Sequence, residues 1–157
     1  MNKLLSMASF ALMVAPIVAQ APNNGIAVWK SADLKAYTTT LPARMNAQKL
    51  GSQNLAPVDG NTTVMVHREA SLEAEVHDNA ADFDVVQSGG CTLIVGGTLK
   101  DGHSVGTGEW KGASIDGGQS FELAPGDIVN IPAKTPHQMV IPAGGQITYF
   151  LMKIPAK

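Results

Sequence analysis

From Thr62 to the C-terminus the chain is a series of short runs rich in β-formers, each closed by a turn signal, with no stretch of helical periodicity between them. Residues 63–68, 72–77, 82–88, 91–95, 119–123, 127–131, 137–141 and 146–154 read as about eight strands. Short strands spaced so closely bury their apolar faces by closing into a barrel or stacking as a sandwich, so the class is all-β. Gly89-Gly90 reads as a hairpin turn between two of these strands, and Gly126-Asp127 as a turn into another. Residues 96–118 are spaced by glycines and read as an extended excursion carrying His103, Glu109 and Trp110. In the last strand Ile147, Tyr149 and Leu151 share one face and Phe150, Met152 and Ile154 the other. A strand apolar on both faces calls for a second layer or a partner subunit, which makes a homodimer the expected assembly.

The first 60 residues follow other rules. Lys3 precedes an uncharged, mostly apolar run ending at Ala19, the pattern of a secretory signal peptide over residues 1–19. The run falls short of the roughly 20 residues a spanning helix needs, so no stable membrane span is expected after cleavage. The expected location is exported, periplasmic or secreted. Residues 20–60 read as an N-terminal arm and linker, and 61–157 as the barrel. Within the arm, Ser31 is placed to cap a helix with Asp33 in its first turn, and Pro42 interrupts it. A second short helical piece is possible over residues 43–50, followed by a polar linker over 51–61.

With 11 basic and 13 acidic residues in 157, the chain offers no basic surface, and nucleic acid is not an expected partner. Cys91 is the single cysteine, so no intramolecular disulfide forms; in a strand-like run it reads as a buried, unreactive thiol.

The chemistry concentrates in Glu75-Val-His77-Asp-Asn-Ala-Ala-Asp82. Glu75 and His77 are two apart in a strand and share a face. Turned into a barrel, both would be desolvated, and a cation compensates such groups well. Asp82 opens the next strand and is expected to bring a third ligand across an antiparallel pair, while His137 would arrive from a neighbouring strand. His67, on the face of Met65 and Thr63, reads as a core or cavity-wall histidine, and His103 and Glu109 as solvent-facing.

Two spacings give the chain a resemblance to the cupin family of small jelly-roll barrels, over residues 60–155. The family's first motif is matched with Glu75 at its first histidine, His77 at its second, Asp82 at its acid and Gly89 at its closing glycine. Its second motif is matched by Gly126, Pro132 and His137. The departures are Glu69 for the opening glycine, Glu75 for a histidine, Lys134 for an internal glycine and Ile141 for a terminal asparagine. A register starting at His77 would put Asp84 at the acid and Cys91 at the glycine; the turn chemistry rejects it and leaves Asn79 and Asp84 outside the site.

The resemblance implies a cupin-type jelly-roll barrel with a short helical N-terminal arm, and a divalent transition metal (manganese, iron, zinc, nickel or copper) held by His77, Asp82 and His137, two histidines and a carboxylate. Glu75 is either a fourth ligand or a general base beside the metal. The expected activity is that of an exported metal-binding cupin acting on a small oxygen-bearing molecule by oxygenase, isomerase or lyase chemistry. The alternative is a non-catalytic small-molecule or sugar-binding cupin, with or without metal.

Overall fold

A computed structural model describes residues 26–157; the signal-peptide reading over residues 1–19 lies outside the described residues. The elements in chain order are helix α1 (Ser31–Thr40), a single 3-10 turn (Pro42–Arg44), and strands β1 (Leu50–Asn54), β2 (Thr62–Arg68), β3 (Ala74–His77), β4 (Ala80–Gly89), β5 (Cys91–Val95), β6 (Thr98–Lys100), β7 (His103–Gly106), β8 (Glu109–Gly112), β9 (Ser114–Asp116), β10 (Gln119–Leu123), β11 (Ile128–Ile131), β12 (His137–Val140) and β13 (Ile147–Pro155). They form a five-stranded sheet in the order β1-β2-β13-β4-β11 and a six-stranded sheet in the order β10-β5-β12-β3-β8-β7, with β6 and β9 paired separately. Every named strand pairing is antiparallel.

The alternation of side chains fixes what each face of the five-stranded sheet does. Val66, Val86, Ile131 and Tyr149 point inward and meet Cys91, Leu93 and Met139 of the other sheet in one buried cluster. Cys91 is buried there, and desolvation pushes its thiol up to about 11, so it behaves as a small apolar side chain. Met65 and Phe150, direct partners across β2 and β13, point outward and are covered by Tyr37, Leu41 and Trp29. The Trp29 and Phe150 rings lie 5.1 Å apart. A second layer over Phe150 and Met152 of β13 is thus supplied by the chain's own arm, while Ile154 near the strand's end is exposed.

Five local expectations are corrected. The residue flanking α1 is Lys30, which makes no side-chain cap; Ser31 is already the first helical residue. The piece expected over 43–50 is only one turn, and part of the expected linker is β1, paired residue for residue with β2. A Cβ at Gly51 would stand 2.6 Å from the Leu41 carbonyl oxygen, so glycine lets the arm lie directly on this strand. Gly89-Gly90 does not make a hairpin: β4 and β5 belong to different sheets, and the chain crosses between layers there. Gly89 has φ +71°, and a side chain on it would collide with the Gln146 backbone carbonyl, so the crossing is tight as well as left-handed. Residues 96–118, expected as an extended excursion from the barrel, are part of its sheets. They supply β6 to β9, and β8 pairs with β3 as part of the six-stranded sheet.

Candidate functional site

The site is assembled from residues that oppose one another across strand pairs. In the six-stranded sheet His77 faces Glu109, and Glu75 faces Lys111 on one side and His137 on the other. In the five-stranded sheet Asp82 faces Lys153, and Asp84 faces Leu151. Directly opposed side chains on one face interact, so both ladders of charge follow from register. The two ladders meet inside the barrel around a cavity of about 270 Å³, whose lining also includes Arg68, Met139, Leu151 and Tyr149.

Both imidazoles are oriented the same way. His137 Nδ1 lies 3.0 Å from the Thr135 carbonyl and donates to it, leaving Nε2 buried and, among the described residues, without a hydrogen-bond partner. That Nε2 faces Glu75 Oε1 and Asp82 Oδ2, each at 3.6 Å. His77 Nδ1 lies 2.5 Å from Glu109 Oε2, and its Nε2 is 3.4 Å from Asp82 Oδ2. One donor atom from each of Glu75, His77 and His137 falls within 4.8 Å of the others, a group that could hold a metal ion. The donor chemistry fits a borderline divalent ion: two imidazoles, each with Nδ1 on an oxygen and Nε2 toward the cavity, and the Glu75 carboxylate, with Asp82 beside them. An oxygen on the far nitrogen of each ring is also the support that a metal-bound histidine receives.

The charged groups hold one another ionised. Burial raises the Glu75 carboxyl, but His137, Lys111 and Arg68 outweigh it and hold it well below the usual range. Asp82 behaves likewise, with burial overcome by the two histidines and Lys153. Burial lowers His137, yet Asp82 and Glu75 bring it up to about 9. Asp84, one step further along the same face of β4, goes the other way: burial and the charge of Asp82 push it up to about 7.

The four residues expected to form the site line one cavity. Glu75, His77, Asp82 and His137 converge, although Asp82 reaches the others across the barrel interior and not across an antiparallel pair, because β3 and β4 lie in different sheets. Glu75 is both a potential ligand and the partner of Lys111 and Arg68, the latter at 3.8 Å. Lys111 holds Oε2, so Oε1 is the oxygen turned toward His137. Glu109 is corrected from a solvent residue to the partner of His77, and Asp84 from outside the site to a wall of its cavity. His103 stays exposed, and His67 is buried on the outer face against Thr148, 2.8 Å away.

Lys153 was missed altogether. Its ammonium lies 2.8 Å from His77 Nε2 and 3.1 Å from Asp82 Oδ1. The available signal was a lone lysine continuing the inward face of Tyr149 and Leu151. Lys134 makes a different point. It stands where the resemblance places a glycine, adopts φ +65°, and donates its backbone N–H to the His77 carbonyl at 2.8 Å. The left-handed turn is kept without the residue that takes it most easily.

No family model matches the chain, and no curated protein matches it. Among solved structures it is similar to a cupin-2 domain protein from Rhodospirillum rubrum, with 18% identity and a TM-score of 0.50 over 70% of this chain and 64% of that one, a little under two thirds of its length. It is also similar to the Streptomyces protein Pac13, described as a β-barrel and a nucleoside dehydratase, with 15% identity and a TM-score of 0.50 over 72% of this chain and 75% of that one. At these identities the likeness is one of fold.

Proposed function

We propose that this chain, a cupin by its fold, uses the barrel cavity to hold a divalent transition metal and a small oxygen-bearing molecule on which it acts. The observation that carries the reading is the common orientation of the two imidazoles, each with Nδ1 tied to an oxygen and Nε2 directed at the same carboxylate, Asp82. His77, His137 and Asp82 would hold the ion, with Glu75 Oε1 as the fourth donor. When bound, a divalent ion acts as a Lewis acid on a substrate oxygen. The rest is done by the chain's own side chains. Arg68, Lys111 and Lys153 offset the charges of Glu75, Asp82 and Glu109, so a 2+ ion leaves the cavity positive and favours an anionic or strongly polar oxygen ligand. Met139, Leu151 and the Tyr149 ring limit water on the inner side. Oxygenase, isomerase and lyase chemistry share these requirements.

The decisive measurement is the metal content of protein purified without chelators. About one ion per chain is expected, falling to near none in His137→Ala with the barrel still folded; wild-type protein that takes up no ion when offered each of the five metals ends the reading. The proposal includes export, supported by the pattern of residues 1–19, and the intact mass of the same preparation, secreted from a host, tests cleavage near Ala19.

A second reading, a small-molecule or sugar-binding cupin without metal, is favoured by one observation: Lys153 already supplies a cation to His77 and Asp82. The same metal analysis separates the two.

A further inference from the structure

Lys153 reaches the cluster from β13, in the sheet opposite the one that carries both histidines. The His77 ring leaves it one role. Nδ1 is taken up by the Glu109 carboxylate, and the Lys153 ammonium 2.8 Å from Nε2 donates an N–H to the single in-plane lone pair of that nitrogen. A metal ion needs that same lone pair. Asp82 is shared in the same way: Oδ1 receives Lys153 at 3.1 Å, while Oδ2 faces His77 and His137. An ammonium nitrogen in hydrogen-bond contact with a ligand atom occupies the space a coordinated ion would fill, and its charge repels the ion.

We propose that the Lys153 ammonium and a divalent ion are alternative occupants of one site, so that metal binds only as Lys153 withdraws from His77 Nε2. The inference rests on the metal reading above and adds to it an internal competitor. Its physical sense lies in the metal-free state. Asp82 is buried, with a side chain 7% exposed, and in the absence of an ion the two histidines on Oδ2 and Lys153 on Oδ1 share the compensation of its charge. Lys153 supplies its share from a side chain still 32% exposed, so the ammonium has a route back to water when an ion takes its place. Lys111 differs: its ammonium bonds the Glu75 carboxylate, whereas the ammonium on His77 Nε2 is that of Lys153.

The test is a Co²⁺ titration of the purified protein, followed by the ligand-field absorption of the bound ion and by competition with a chromophoric chelator. Lys153→Met, which keeps the length of the side chain and removes its charge, is expected to bind Co²⁺ at least about tenfold more tightly than wild type. Lys111→Met removes one charge from the same cavity wall and is expected to gain clearly less. Lys153→Arg, which keeps the charge, should stay at or below wild-type affinity. Melting curves taken with a chelator establish that each variant is folded. Wild-type affinity in Lys153→Met overturns the competition and leaves the metal reading standing, and equal gains in the two methionine variants reduce the effect to general charge and also overturn it. Binding by neither wild type nor Lys153→Met overturns both readings, and binding by Lys153→Met alone ends the metal reading of the native chain and leaves Lys153 as the resident cation of the site.

Discussion

In the five-stranded sheet, strands β2, β4 and β13 present two faces that are held by different forces. On the outer face Met65 and Phe150 meet Tyr37, Leu41 and Trp29 in a cluster whose stability follows from apolar area removed from water. On the inner face, toward the cavity, Arg68, Asp82, Asp84 and Lys153 of the same strands sit among the two histidines and Glu75. There each charge is tolerated because another is close by, and stability depends on pairing and on pH. An apolar face loses stability in proportion to what is cut away. A paired polar face responds according to which partner is left behind.

The largest expected effect tests the outer face. Phe150→Ala removes the ring against which Trp29 packs and is expected to cost about 3–5 kcal/mol, measured by denaturant unfolding. The loss should be the same at pH 5 and pH 8, since the cluster's packing is apolar. A loss that varies strongly between the two would show that the faces are coupled through the sheet.

The next effect has the opposite character. Asp84 is 2% exposed and its folded carboxyl is pushed up to about 7, whereas an unfolded aspartate titrates near ~3.9. The folded state therefore holds more protons over that window, and stability falls as pH rises from about 4 to about 7. His137, raised to about 9, continues the fall: its contribution is complete below about 6.5 and is lost as pH rises through about 9. Asp82 and Glu75, both depressed, give stability that is present above about 4 and lost as pH drops toward their folded values. In chelator-treated protein Asp84→Asn should remove the segment between about 4 and 7, raising stability at pH 8 by on the order of 3 kcal/mol relative to wild type while leaving the decline toward 9. Unfolding curves across pH check this, and a parallel shift of the two profiles would contradict it.

The same division explains what could be read in the sequence. Alternation within a strand is local, so the strands and the shared face of Glu75 and His77 were legible, and two motif spacings brought in Asp82 and His137. Strand β1 was not, because Leu-Gly-Ser-Gln-Asn has too little apolar content to announce itself and is a strand only through its pairing with β2. Crossing between sheets at Gly89-Gly90 uses the same residues as a hairpin turn, and only topology separates the two. The partners Glu109, Lys111 and Lys153 depend on register between strands far apart in the chain. One trace was present: Glu109-x-Lys111 matches His77 and Glu75 in charge when the strands run antiparallel.

That trace leads to the smallest effect, which shows whether the inner face is organised beyond its first ring of ligands. Glu109 is half exposed, and its carboxylate lies 2.5 Å from His77 Nδ1. Gln at this position still accepts the hydrogen bond and keeps the ring's tautomer, but it no longer places a negative charge behind the imidazole. A carboxylate there makes Nε2 a better donor to a metal. Glu109→Gln is therefore expected to weaken Co²⁺ binding about tenfold, roughly 1.4 kcal/mol, while the chelator-treated protein unfolds within about 0.5 kcal/mol of wild type. The two measurements separate the roles: lost stability without lost affinity would make Glu109 a structural cross-strand partner, and lost affinity alone would make β8 a working wall of the site.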